Sequence, residues 1–298
     1  VPARVEHFMT KLPVGKTIRF AYGFTFGHLG AIIALIWLPI VSMALVSFLP
    51  QAIGVPAPGT ADLTPAQAAG AGLWGLFGSF ASLVLSAMAY QAVAELALGL
   101  RKPGANYYFS LDRPVWRLLG AIVLLILLVM LFALMVFGGV ALLGWLASML
   151  GKTVGAVAAS VAALAGIVFF SLVIVRMGFL LVPATVAEGR IDLARSWTLT
   201  YGNFWRIVIT EIAVLMPLMI LAMIGLAAIF AKDFPALMAL MKDTSAQAEA
   251  ARTAIVQHHL PMVFGLELIL MPFSMGLATS ASAFAYRALQ PPQTDVVA

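Results

Sequence analysis

The chain has 298 residues, 63% of them hydrophobic and only 10% charged, with a mean hydropathy of +1.05 and a formal net charge of +5. Soluble domains carry about 25% charged residues, so this composition excludes a water-soluble fold and indicates an integral membrane protein. Cysteine is absent, which excludes disulfides, thiolate metal sites, iron–sulfur clusters and cysteine nucleophiles.

The opening stretch, "VPARVEHFMTKLPVGKTIRF", is charged and has no apolar run. The first long apolar run starts near Gly27 with no small-residue cleavage site behind it, so it is expected to stay in the protein. A spanning helix needs about 20 apolar residues. By that measure spans are expected near 27–49, 72–98, 116–138, 154–180, 204–230 and 260–287. The runs are continuously apolar, without the alternation of a barrel strand, so the expected fold is all-α with six transmembrane helices in one membrane domain over 1–298. The third run continues past Gly138-Gly139 to Leu150. It is expected either to bend at the glycine pair or to end in a helix on the far surface. Residues 232–259 read as a polar insertion between spans, a helix pair at most, and 291–298 as a flexible tail.

Charge then orients the spans. Thirteen of the 17 Lys and Arg residues fall on the side that holds both termini, from Arg4 through Lys102 to Arg287. Only Lys152, Lys232, Lys242 and Arg252 fall on the other. The positive-inside rule places the first side in the cytoplasm, as for a bacterial inner-membrane protein.

An internal repeat is visible. "YYFSLDRPVWRLL" at 107–119 aligns with "SWTLTYGNFWRIV" at 196–208, matching Trp116-Arg117 to Trp205-Arg206 and Tyr108 to Trp197. "FAYGFTFGHLGAII" at 20–33 is a weaker third copy, with Gly27-His28 against Gly202-Asn203. The even-numbered spans end alike, with Ser86–Gln91, Ser171–Arg176 and Ser282–Arg287 equally spaced. The expected plan is three units, about 14–100, 101–188 and 189–290, each an interfacial amphipathic helix plus two spans.

In the clearest copy, Ile191, Ala194, Trp197 and Tyr201 form an apolar stripe at helical spacing, fit to lie in the interface. Trp116, Trp197, Tyr201 and Trp205 are the expected interfacial anchors. Asn203 is expected to cap the next helix, and Arg206 to reach back to the headgroups. Arg113, Arg117, Arg190, Arg195 and Arg206 form a candidate site for an anionic lipid headgroup, although anchoring alone would account for them.

Ionisable groups within the bilayer are functional candidates by default. Glu211 lies about two turns into the fifth span and is expected to pair with Arg176 or Arg287, either as a fastening or as part of a relay. Glu267 lies about two turns into the sixth span from the opposite side. His258-His259 precede it and are not expected to bind metal. Pro39, Pro217, Pro261 and Pro272 lie in or beside spans, and Gly23/Gly27 and Gly151/Gly155 match the small-residue packing pattern; both signals are weak. "GKT" at 15–17 and at 151–153 lacks the preceding phosphate-loop glycine, which Thr10 and Leu146 replace. No recognisable catalytic motif is present. No cofactor, metal or nucleic acid is implied.

Residues 175–207 carry Arg176, Pro183, Ala184, Glu188, Gly189, Ser196, Trp197 and Gly202. This stretch resembles the multi-span domain fused to some glycerophosphodiester phosphodiesterases and its stand-alone relatives of unknown function. No phosphodiesterase domain is present, so the resemblance implies membrane embedding and lipid association rather than that activity. The expected function is therefore non-catalytic: binding lipid or organising the envelope. A transporter or channel for a small or amphiphilic solute is the first alternative, and an intramembrane lipid-modifying enzyme the second. Expected partners are membrane lipids, including anionic ones, and a second copy of the chain or an envelope protein. A reporter that is active only in the cytoplasm should be active when fused after residue 290 and silent when inserted within 232–259. The reverse pattern would invert the orientation.

Overall fold

The computed structural model describes residues 11–53, 64–101, 109–243 and 245–290. Arg4, Lys102, Tyr108 and the tail at 291–298 lie outside the described residues. Among those described there is no strand. Ten helices follow in order: α1 (Val14–Gly27), α2 (Leu29–Ala52), α3 (Pro65–Ala97), α4 (Arg113–Ser148), α5 (Lys152–Gly178), α6 (Leu181–Glu188), α7 (Leu193–Leu199), α8 (Phe204–Phe230), α9 (Phe234–Leu240) and α10 (Ala246–Leu289). The six segments long and apolar enough to cross a membrane are α2, α3, α4, α5 with α6, α8 and α10. The protein is an all-α, multi-pass membrane protein.

The helix ends follow local chemistry. Thr64 and Gln67 form a reciprocal capping box at the start of α3, with Pro65 in the first turn. The Asp192 carboxylate accepts from Arg195 N–H at 2.8 Å and starts α7. Ser245 caps α10 by accepting from Ala248 N–H at 3.2 Å. Gly189 ends α6 in the left-handed region at φ +63°, where a side chain would be strained.

Two expectations about the spans change. Helix α4 neither bends off into a second element nor stops at Gly138-Gly139; it is one helix to Ser148 and turns at Gly151 into α5. Glycine costs about 1 kcal/mol in a helix interior, too little to break one whose backbone has no other partner in lipid. The sixth span likewise begins earlier than 260: the polar insertion is the helix pair of α9 and the first turns of α10. After α9, helix α10 runs unbroken from Ala246 through His258-His259, Pro261 and Pro272 to Leu289. A proline removes one hydrogen bond, and the turns on either side hold.

The largest cluster of buried apolar residues lies at one end of the bundle. Leu12, Leu98, Leu180, Leu199, Ile207 and Tyr286 belong to one cluster there, so both ends of the described chain meet at this arginine-rich end. At the repeat offsets, Ile32, Leu118 and Ile207 are each fully buried. The break between α1 and α2 falls at His28, where the alignment places Asn203 before α8. Helix α1 docks through Thr17, Ala21 and Thr25 and leaves Lys16 and Arg19 outward. It runs antiparallel to the end of α10: Phe20 meets Phe284 at 5.0 Å, and the Ser280 hydroxyl donates to Ala21 C=O at 3.4 Å. Farther from this end, α4 and α5 pack mainly on each other. Gly144 faces Ala159, and Gly166 faces Val136.

Close approach is needed at Gly276, where an added Cβ would stand 2.7 Å from Thr25 Cγ2 and 3.0 Å from Ile32 Cδ1. Gly265, on the same helix, faces open space. Gly276→Ala should therefore destabilise the protein by about 1–3 kcal/mol through overpacking. Gly265→Ala should be neutral or stabilising by up to about 1 kcal/mol. Thermal unfolding in detergent or nanodiscs checks the opposite signs.

Candidate functional site

Residues 175–207 fold into a corner in which α5, α6 and α7 turn back on each other. The Arg176 guanidinium lies 3.8 Å from the centre of the Trp197 ring and donates from Nη2 to Trp197 C=O at 2.9 Å. The Arg176 carbonyl accepts from the Ser196 and Thr200 hydroxyls at 3.0 and 3.1 Å. Glu188 ends α6, where the helix dipole disfavours a carboxylate. Three donors compensate: Arg195 Nε at 2.9 Å, Tyr286 O–H at 3.0 Å and Arg190 at 3.1 Å. The gathered Ser, Trp, Glu and Gly residues thus build and brace a turn. The stripe of Ile191, Ala194, Trp197 and Tyr201 is the outward side of α7, whose buried side is Ser196, Leu199 and Thr200. Trp116, Trp205 and Tyr201 are exposed and Trp197 is half-buried.

Most of the candidate headgroup arginines are engaged within the protein. Arg206 Nη1 donates to Leu12 C=O at 2.9 Å. Asn203 does not cap α8 with its side chain; Oδ1 instead accepts from Leu12 N–H at 2.9 Å. Leu12 is therefore held by both its backbone groups while its side chain is fully buried. Arg117 donates to Gly189 C=O, and Arg287 to Leu98 C=O. Arg190 pairs with Glu188 and Asp192 and keeps an exposed side chain. Arg113 is exposed and makes no hydrogen bond or ion pair among the described residues.

The expected pairing of Glu211 with Arg176 or Arg287 does not form. Arg176 is held at Trp197 with its Nε left without a partner, Arg287 donates to Leu98 C=O, and Glu211 makes no hydrogen bond or ion pair among the described residues. Glu211 instead lines a cavity of about 260 Å³ between α3, α5, α8 and α10, with Tyr90, Val175, Thr279 and Ser282. Thr279 is 3% exposed, and its Oγ1 has no partner. Ser280, one residue on, folds its hydroxyl back onto Gly276 C=O at 2.6 Å. The carboxyl and the Thr279 hydroxyl are thus two unspent polar groups on an otherwise mainly apolar wall.

Glu267 is exposed and lines a second cavity farther along α8 and α10. His258 meets His259 edge to face, and His259 bonds Asp233 Oδ2 at 2.7 Å. Among the described residues no group of His, Asp and Glu could hold a metal ion. Sequence reasoning did not single out Leu12, Tyr90 or Thr279. Tyr90 alone carried a signal, since it occupies the place of Tyr286 in the repeated "SAMAYQA" and "SAFAYRA". Compared with family models, curated proteins and solved structures, the chain matches none.

Arg206→Ala and Asn203→Ala should each lower stability by about 1–3 kcal/mol, as expected for losing a bond to a buried backbone group. The double variant should lose less than the two singles together, because both act on Leu12. Thermal unfolding of the three variants measures this coupling; strict additivity would show that the clamp does not act as a unit.

Proposed function

We propose that this is a non-catalytic integral membrane protein that holds an amphiphilic, lipid-like molecule between α3, α5, α8 and α10. The carrying observation is the pair of unpartnered polar groups, Glu211 and Thr279 Oγ1, on the wall of a cavity that is otherwise largely apolar. An unmet carboxyl within a span is costly unless something supplies a partner. Apolar walls with a few convergent polar groups are the general pattern of a small-molecule site. The head of the ligand would sit at Glu211 and its chain along the span. The arginines serve the fold more than a headgroup, with exposed Arg113 and Arg190 the ones still able to meet an anionic lipid at the surface. The charge asymmetry supports a bacterial inner membrane, with the arginine-rich end in the cytoplasm.

Mass spectrometry of lipids co-purifying with the protein tests this. Glu211→Gln should reduce retention of the bound amphiphile roughly tenfold or more, the equivalent of one charge-assisted hydrogen bond, while Arg113→Gln should leave it unchanged. Retention that survives Glu211→Gln and is lost with Arg113→Gln would move the site to the surface.

A further inference from the structure

The cavity at Glu211 does not end within its half of the bundle. A second cavity of about 490 Å³ continues along α8 and α10 to Leu226 and Glu267, and Tyr90 and Leu215 line both. From Ser282 in the first to Glu267 in the second is 15 residues of α10, about 22 Å at the helical rise and most of a hydrocarbon core roughly 30 Å thick. Helix α5 contributes Ile174 to Val182 to the first cavity together with α6, and nothing to the second. The second therefore has an open side where α5 departs. No arginine or lysine lines either cavity, while each contains one carboxyl. Hydroxyls line the same stretch: Thr279 and Tyr90 without partners among the described residues, and Ser282 and Ser274 folded back onto Thr279 C=O and Met271 C=O at 3.0 and 2.9 Å. Tyr286, the repeat counterpart of Tyr90, spends its hydroxyl on Glu188, whereas the Tyr90 hydroxyl has no partner among the described residues.

We infer that the two cavities are halves of one path, divided by Tyr90, along which the polar head of an amine-bearing amphiphile crosses between leaflets while its chains stay in the lipid. The inference rests on reading the Glu211 cavity as a ligand site and adds movement to it. The charge of the lining sets the class: two carboxyls and no cation favour an ammonium head over a purely anionic one. The open side lets chains remain outside, so only the head needs the polar steps. Tyr90 is a positioning and gating residue, since it is common to both chambers and its phenol is not tied to a neighbour.

The chain has no native cysteine, so single substitutions report cleanly. In sealed vesicles of both orientations, a membrane-impermeant methanethiosulfonate should label Ser282→Cys from the arginine-rich end only and Ser274→Cys from the opposite end only. The cationic reagent should react roughly tenfold faster than the anionic one, because the carboxyls concentrate cations. Adding Tyr90→Ala should make Ser282→Cys reachable from the opposite end, and Tyr90→Phe should not. In proteoliposomes, dithionite bleaching of acyl-labelled phosphatidylethanolamine should show protein-dependent exchange that Glu211→Gln abolishes, with phosphatidylglycerol exchanged more slowly. If both cysteines resist impermeant reagents yet react with a lipid-soluble maleimide, the path is overturned. If, in that case, Glu211-dependent lipid retention persists, the ligand site still stands. Labelling of Ser282→Cys from both ends without Tyr90→Ala would overturn the gate. Equal exchange of the two lipids would overturn the amine preference.

Discussion

Guanidinium bonds to main-chain carbonyls are the constraint on which this molecule depends. Helix ends leave carbonyls without partners, and in a weakly polar surrounding each unmet carbonyl is expensive. Arg117 at Gly189, Arg176 at Trp197 and Arg287 at Leu98 meet carbonyls at or just past helix C-termini, and Arg206 adds a bond to Leu12 C=O ahead of α1. Every one of these bonds joins two different segments. All lie at the same end, beside the largest buried cluster. A fixed positive charge with several N–H donors suits this role better than lysine's single point charge.

Tying the helices at one end leaves them free to diverge toward the other. The α4–α5 hairpin exploits that freedom, zipped to itself by Gly144, Ala159 and Gly166. Its departure leaves the Glu267 cavity without a wall from α5, whereas the Glu211 cavity keeps one. The Glu211 cavity depends on where Arg176 acts. Had Arg176 reached Glu211, the same residues would have made a closed ion pair and no chamber. Trp197 holds Arg176 instead, through its ring and its carbonyl together.

Continuous hydropathy made the six spans legible, because a spanning helix must be apolar over its whole length and must satisfy its own backbone. What the sequence hid is long-range. Asn203 precedes a helix and has the chemistry of a cap, yet its oxygen serves Leu12, 191 positions earlier. Glu211 and Arg176 sit at similar depth, but depth along a helix does not specify which neighbour a side chain faces. The single helix from Ala246 to Leu289 was obscured by polar residues and two prolines, which lower hydropathy without ending the hydrogen-bond ladder. Thr279, Ser280 and Ser282 stand together, and nothing local marks Thr279 as the one whose hydroxyl is unpartnered.

The double hold on Leu12 also orders events during synthesis. Its partners, Asn203 and Arg206, leave the ribosome nearly two hundred residues later, a delay of roughly 10–40 s at ordinary elongation rates. Until then α1 has neither α8 nor α10 to lie against, so the first two spans sit in the bilayer with their leading helix undocked. The arginine-rich end can close only after the fifth span has been made. Helix α1 is therefore made well before the partners that lock it, and the growing chain stays an open array while α2 to α7 are added.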